Sequence, residues 1–253
     1  MGQTQVYRVK NKMNGTLYLI PNTLGPTESL DQVIPQHVQQ LTSQLTHFVA
    51  ENAKTARAFL KQVGTAKPIQ EIAISELNIN TPQAALQALL EPLKAGHDVG
   101  LLSEAGVPAV ADPGADLVRL AHAHSIPVRP LVGPSSILLS VMASGLNGQS
   151  FAFNGYLPTD AAARAKRLKE LETRSRQEKQ TQLFIETPYR NAAMLESLVS
   201  ACNGTTLICV ATDISLPTET IRTRTGAQWK SLLDAGKGPD FHKKPTVFLL
   251  LAQ

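Results

Sequence analysis

The sequence predicts an α/β protein of two domains, and three observations carry that expectation. The chain has 253 residues, 43% of them hydrophobic, enough for two ordinary cores. Short apolar runs alternate with helix-sized amphipathic stretches through the first 145 residues, the pattern of a mostly parallel sheet covered on both faces. Beyond residue 146 aromatic and β-branched runs come closer together, which points to a mixed sheet. The expected domains are therefore 1–146 and 147–253.

Each element has a local reason. TLYLIP (16–21), THFVAE (46–51), IAISEL (72–77), VGLLSE (99–104) and VRPLVG (128–133) read as strands. From Asn52, the residues Ala53, Ala56, Leu60 and Val63 form one helical stripe that Gly64 ends. Thr81 reads as a helix cap with Pro82 at the first helical position, and Ala85, Leu86, Leu89, Leu90 and Leu93 continue the stripe to Gly96. Pro92 marks a kink there. Asp112 reads as the cap of a helix that starts at Pro113 and runs toward His124. In the second half, FAFNGYLP (151–158) precedes a charged helix over 160–180. LFIET (183–187), a helix from Arg190 to about Ala201, and strands at 206–214, 220–226 and 246–252 follow.

Composition excludes several classes. Cys202 and Cys209 make neither a disulfide framework nor a metal set, and His122 and His124, two apart on a helix, point to different sides. No metal site is expected. Residues 1–15 lack the apolar core of a signal peptide, and no segment approaches about 18 continuous apolar residues. The expectation is a cytoplasmic protein with no membrane segment. A formal charge of +4 and a pI of 9.1 are compatible with a polyanionic partner without requiring one. The chain has no G-x-G-x-x-G after a strand, no P-loop, no H-E-x-x-H and no G-x-S-x-G.

Three expected strands end in loops of small residues: Pro21-Asn-Thr-Leu-Gly-Pro26, Ser103-Glu-Ala-Gly-Val107 continuing to Gly114, and Gly133-Pro-Ser-Ser136. In open α/β sheets ligands lie outside the carboxyl ends of the strands, and small residues let a ligand approach backbone groups. One pocket for an extended polar ligand is the expectation.

Glu104-Ala-Gly-Val-Pro-Ala-Val-Ala-Asp-Pro-Gly114, Gly133-Pro-Ser-Ser136, Ala143-Ser-Gly-Leu146, Phe151-Ala-Phe-Asn-Gly-Tyr-Leu-Pro158 and Phe184-Ile-Glu-Thr-Pro-Tyr-Arg190 occur in this order. Together they resemble the tetrapyrrole-methylase-like (class III) S-adenosylmethionine methyltransferases, and within them a branch that methylates ribosomal RNA on a ribose 2′-hydroxyl. The resemblance covers residues 15–252. It implies two α/β domains with S-adenosylmethionine in the cleft between them, and a homodimer. Position by position it implies cofactor contacts at Pro21, Ser103, Ala105, Gly106, Val110, Ser135, Ser136, Glu186, Ala211, Pro245 and Thr246.

The chain departs from that branch in places. Asn22-Thr-Leu-Gly-Pro26 stands where the branch has Pro-Ile-Gly-Asn-Leu, and Ala50-Glu-Asn-Ala-Lys54 where it has Ala-Glu-Asp-Thr-Arg. Thr212-Asp-Ile-Ser-Leu216 replaces Arg-Glu-Leu-Thr-Lys, with the loss of two bases, and Lys244-Pro-Thr246 replaces Gly-Glu-Met. Most of these changes fall where an acceptor rather than a cofactor is expected. A methyltransferase acting on a small metabolite or tetrapyrrole, or a non-catalytic cofactor-binding paralogue, are the alternatives.

Glu51, Glu104 and Glu186 are the carboxylates at expected strand ends and hence the candidate catalytic groups; each could equally cap backbone or pair with Lys54 or Arg190. Residues 160–180 hold seven bases against four acids. They form either an RNA landing strip, with Arg164 and Arg167 and the separate Arg190 contacting substrate, or a solvated helix with pairs such as Lys166–Glu170. An RNA or ribosomal subunit is the macromolecular partner this suggests.

Overall fold

The computed structural model describes residues 14–253, which divide into two compact units. The first holds residues up to 23 together with 28–134, and the second holds 24–27 with 135–253. The sequence boundary at 146 thus falls twelve or so residues late: helix Ser136–Ser144 packs within the second unit, as does the short excursion 24–27. The reading of residues 1–15 as lacking a signal core lies almost wholly outside the described residues.

The first unit is a five-stranded parallel sheet in the order β3-β2-β4-β1-β5. Its strands are β1 (Leu17–Ile20), β2 (His47–Ala50), β3 (Ala73–Glu76), β4 (Val99–Leu102) and β5 (Val128–Pro130), all inside the segments the apolar runs marked. β4 is buried at all four positions, as a central strand covered on both faces must be. One face packs Ile20, Phe48, Leu60 and Leu102 under helices α1 (Gln36–Gln44) and α2 (Ala53–Val63). The other packs Leu17, Val49, Leu90, Leu101 and Leu117 under the short helices α3 (Leu86–Leu89) and α4 (Glu91–Lys94) and under α5 (Ala115–Ala123).

Helix ends tested the sequence most closely. Asn52 caps α2 through a bond from the Lys54 N–H, and Gly64 closes it at φ 77°. Thr81 does not cap: its hydroxyl accepts from Asn78 N, and Pro82 precedes a 3-10 turn rather than starting an α-helix. Pro92 falls in the first turn of α4, so the expected kinked helix is two short ones. Asp112 is not the cap of α5 either. The cap is Gly114 at φ 130°, which leaves Asp112 and Pro113 in the preceding loop.

The second unit is a mixed sheet in the order β6-β7-β10-β8-β9. β6 (Phe151–Tyr156) and β7 (Thr181–Ile185) run parallel; β10 (Thr246–Leu251), β8 (Leu207–Thr212) and β9 (Thr220–Thr225) complete it by antiparallel pairing. Phe184, Phe248, Leu195 and Trp229 lie in the core beneath α7 (Ala161–Glu178), α8 (Asn191–Ala201) and α9 (Gly226–Asp234). On the opposite face α6 (Ser136–Ser144) covers Cys209, Ala211 and Leu249. Among the described residues no helix is long and apolar enough to cross a membrane.

Candidate active site

In the first unit the register puts three strand ends side by side. Ile20 of β1 and Ala50 of β2 both pair with Leu102 of β4, so Pro21, Glu51 and Ser103 leave the sheet at the same level. Asn22 then stitches two of the loops together. Its backbone N–H donates to Gly106 O at 2.8 Å, and its side-chain amide donates to the carbonyls of Ser103 (3.2 Å) and Glu104 (3.0 Å). Gly106 N–H returns a bond to Asn22 O at 3.2 Å, and Ser103 Oγ donates to Gly106 O at 3.0 Å. Gly106, Ser103 and Pro21 are buried, and the polar groups of the first two are spent inside the chain, so they build the loop's frame. Ala105 and Val110 remain exposed, as do Glu104 and Ala111, and can meet a ligand.

The loop is held in uncommon backbone conformations. Ala109 and Ala111 sit at φ 65° and 62°, and Gly106 at φ 69°, within one stretch of six residues. Left-handed alanines are costly and cluster at ligand-binding turns. At Gly133 a Cβ would lie 2.2 Å from Pro21 Cγ, so that glycine is required by contact between two strand-end loops.

Glu51, Glu104 and Asp112 converge at these ends. Burial and the charges of Glu51 and Glu104 push the Asp112 carboxyl up to about 6. Burial and Glu104 likewise raise Glu51. Glu104 accepts from the Thr55 hydroxyl at 3.2 Å. Asp112 also borders a cavity of about 460 Å³ walled by Leu77, Ile79 and Leu86, within the size range of small-molecule sites. Reading Asp112 only as a cap missed this group; the spacing Glu104…Asp112 across a Gly/Pro loop was the signal available. His47 and His97 stack at 4.7 Å near the amino ends of β2 and β4, away from the acids.

In the second unit Glu186 follows β7 and is buried. Its Oε1 accepts from Thr187 N, Arg190 Nε and Arg190 Nη2, while Oε2 has no partner among the described residues. Glu186 is therefore an ion-pair partner of Arg190, whose side chain remains about a third exposed. Thr246 is tied to Thr212 Oγ1 at 3.1 Å and to Asn191 Nδ2 at 3.2 Å; Ala211 is buried in β8, and Pro245 is exposed. Ser135 caps α6 by accepting from Leu138 N, and Ser136 begins that helix.

The basic helix α7 divides. Arg164 is buried, its guanidinium donating to Ser197 Oγ at 2.9 Å and Thr159 O at 2.8 Å, so it is not a substrate contact. Arg167 pairs with Glu170 at 3.1 Å, in place of the expected Lys166–Glu170 pair. Lys166, Lys169 and Arg174 are exposed and border one shallow groove.

A parallel five-stranded unit followed by this mixed sheet is the fold of the tetrapyrrole methyltransferases. The crystal structure of the methyltransferase CobJ superposes with a TM-score of 0.59 at 18% identity, covering 95% of this chain and 94% of that one. Uroporphyrin-III-C-methyltransferase from Thermus thermophilus superposes at 0.52 and 16% identity, covering 94% and 93%. No family model matches the chain. The ribosomal RNA small subunit methyltransferase I of Xylella fastidiosa (strain Temecula1) is 30% identical over 207 residues, 82% of this chain and 71% of that protein. That of Pseudomonas aeruginosa is 30% identical over 208 residues, covering 82% and 69%; that of Escherichia coli O157:H7 is 27% identical over 237, covering 94% and 77%. This chain belongs to the ribosomal RNA small subunit methyltransferase I family.

Proposed function

We propose that this protein transfers a methyl group from S-adenosylmethionine to ribosomal RNA, at a ribose 2′-hydroxyl. Family membership at 30% identity over four-fifths of the chain is the observation that carries the reading.

The residues present suit the cofactor. Glu51, Glu104 and Asp112 crowd negative charge that a cation would relieve, and a sulfonium nucleoside brings both a sulfonium and an ammonium. The unpartnered buried Glu186 Oε2 offers an acceptor to a ribose hydroxyl or an amine. Ala105 and Val110 supply an exposed small-residue surface, and Ser135, Ser136, Pro245 and Thr246 are the further contacts we assign. When bound, the cofactor supplies an electrophilic methyl on a sulfur that departs neutral, so no general acid is needed.

The chain's own contribution is to orient the hydroxyl and take its proton. Glu51 and Asp112, both displaced upward toward neutrality, suit that task. Glu186 is assigned to the cofactor instead, with its Oε1 held by Arg190 and its Oε2 unpartnered among the described residues. Lys166, Lys169 and Arg174 are the bases free to meet RNA phosphates, in place of Arg164 and Arg167. Exposed Leu138 and Met142 on α6 support a homodimer, and a ribosomal RNA acceptor favours a cytoplasmic location.

The test is incubation with methyl-labelled cofactor and small ribosomal subunits from a strain lacking the gene. Label in a ribose 2′-O-methyl nucleotide is expected. Tight cofactor binding with no label in any RNA would refute the reading in favour of a non-catalytic module, and label in a small molecule would refute the acceptor alone.

A further inference from the structure

The loops at the end of β7 and before β10 carry a feature that cofactor binding does not use. Tyr189 is 72% exposed, in a chain whose aromatic content is only 5%. Lys243 places its Nζ 6.0 Å from the centroid of that ring. Beside them the Arg190 guanidinium, held by Glu186, keeps about a third of its surface in water. An aromatic face flanked by cations is the arrangement that takes one unstacked base and its phosphates.

The platform is rigid. Lys243 N–H donates to Pro188 O at 3.2 Å, joining the two loops directly. The Asn191 amide donates to Phe241 O at 2.8 Å and Lys244 O at 2.9 Å, fastening the second loop to the start of α8. Lys243 itself is held at φ 60°, a left-handed conformation costly for lysine and maintained by those bonds. Two backbones and a buried amide thus fix the loops that carry the ring and the ammonium, and leave both side chains exposed. An exposed tyrosine with no packing role would need none of this.

We infer that Tyr189, with Lys243 and Arg190, is a stacking platform for one base of single-stranded RNA. This rests on the proposal of an RNA acceptor. Duplex RNA cannot supply the contact, since its bases are stacked on each other. Lys243 covers one side of the ring, so the base lies on the other, and its phosphates fall to the two cations.

The experiment measures binding of a short single-stranded RNA, and of an abasic ribose-phosphate oligomer of equal length, to wild type, Tyr189→Ala, Tyr189→Trp and Lys243→Gln. Tyr189→Ala should weaken the base-bearing RNA about tenfold and leave the abasic oligomer unaffected, while Tyr189→Trp keeps or improves affinity. Lys243→Gln should weaken both oligomers and reduce the salt slope by about 1. S-adenosylmethionine affinity and sedimentation are measured on the same variants. Wild-type RNA affinity in Tyr189→Ala overturns the platform alone. Loss of cofactor affinity assigns the ring to the cofactor, and loss of an oligomer assigns it to a protein interface; either overturns it too. Failure of the wild type to bind any single-stranded RNA, with cofactor binding intact, refutes the RNA acceptor itself.

Discussion

Replacing Asp112 with Asn isolates the electrostatics of the acid cluster. A carboxyl raised from 3.8 to about 6 is one the folded state prefers to keep protonated. Between those values the folded protein binds more protons than the unfolded chain, so stability falls as pH rises through the window. The full penalty is in force above about pH 6 and vanishes below 3.8. A fully buried group would lose ~3 kcal/mol by such a shift. Asp112 is only half-buried, and solvent screening reduces this to about 1 kcal/mol. Asp112→Asn should therefore be more stable than wild type by about 1 kcal/mol in urea unfolding at pH 7.5, and no more stable near pH 4. The same variant should bind S-adenosylmethionine about tenfold more weakly at pH 7.5, because it removes a charge the cation meets. Lower stability at pH 7.5, or a gain that persists at pH 4, would show that Asp112 makes favourable contacts and is not crowded by Glu51 and Glu104.

Other consequences are open to direct measurement. Arg164→Ala should cost about 2–3 kcal/mol in unfolding free energy, since it removes the buried guanidinium that donates to Ser197 Oγ and the Thr159 carbonyl, and should leave the salt slope of RNA binding untouched; Lys169→Gln should do the reverse, lowering that slope by about 1 at unchanged melting temperature. Gly133→Ala should destabilise by roughly 2 kcal/mol, because its Cβ meets the stiff ring of Pro21 at 2.2 Å. Burial and Glu172 push the Cys202 thiol up to about 12 and burial raises Cys209, so neither should react with iodoacetamide at pH 8 in the native state, as mass spectrometry would show.

The strands and their sheet types were legible because apolar runs and their spacing record burial directly. β4, buried at every position, reads as LL between turn signals, and β10 as FLLL. The helices that escaped the reading are α1 and α9. α1 is rich in Gln and buries only Val38 and Thr42, while α9 declares itself by the capping box Thr225–Gln228 rather than by periodicity. The site was half legible. Strand-end placement found Glu51, Glu104 and Glu186, but nothing local distinguishes a free carboxylate from one held by an arginine four residues on, as Glu186 is. Asp112 looked like a cap because Asp-Pro-Gly is good cap chemistry; the left-handed alanines before it carry the chain into a different turn. Arg164 looked like a phosphate contact because charge is visible in sequence and burial of a long side chain is not.

The departures from the family's pattern have structures of their own. Asn22 spends its backbone and side chain on residues 103–106, so the first strand-end loop presents its frame, not a free amide. Asp213, at φ 52°, turns the chain after β8, donates its N–H to Pro245 O, accepts from Thr218 Oγ1 at 2.7 Å and lies 3.9 Å from Lys244 Nζ. The two bases of the branch's pattern fall at Thr212, whose hydroxyl lies 3.1 Å from that of Thr246, and at Leu216. Exposed cations of the second unit include Lys166, Lys169 and Arg174 on α7, Lys243 beside Tyr189, and Arg222 and Arg224 on β9. Under the proposed RNA acceptor, substitutions on α7 and at Tyr189 are the ones expected to separate RNA recognition from cofactor binding.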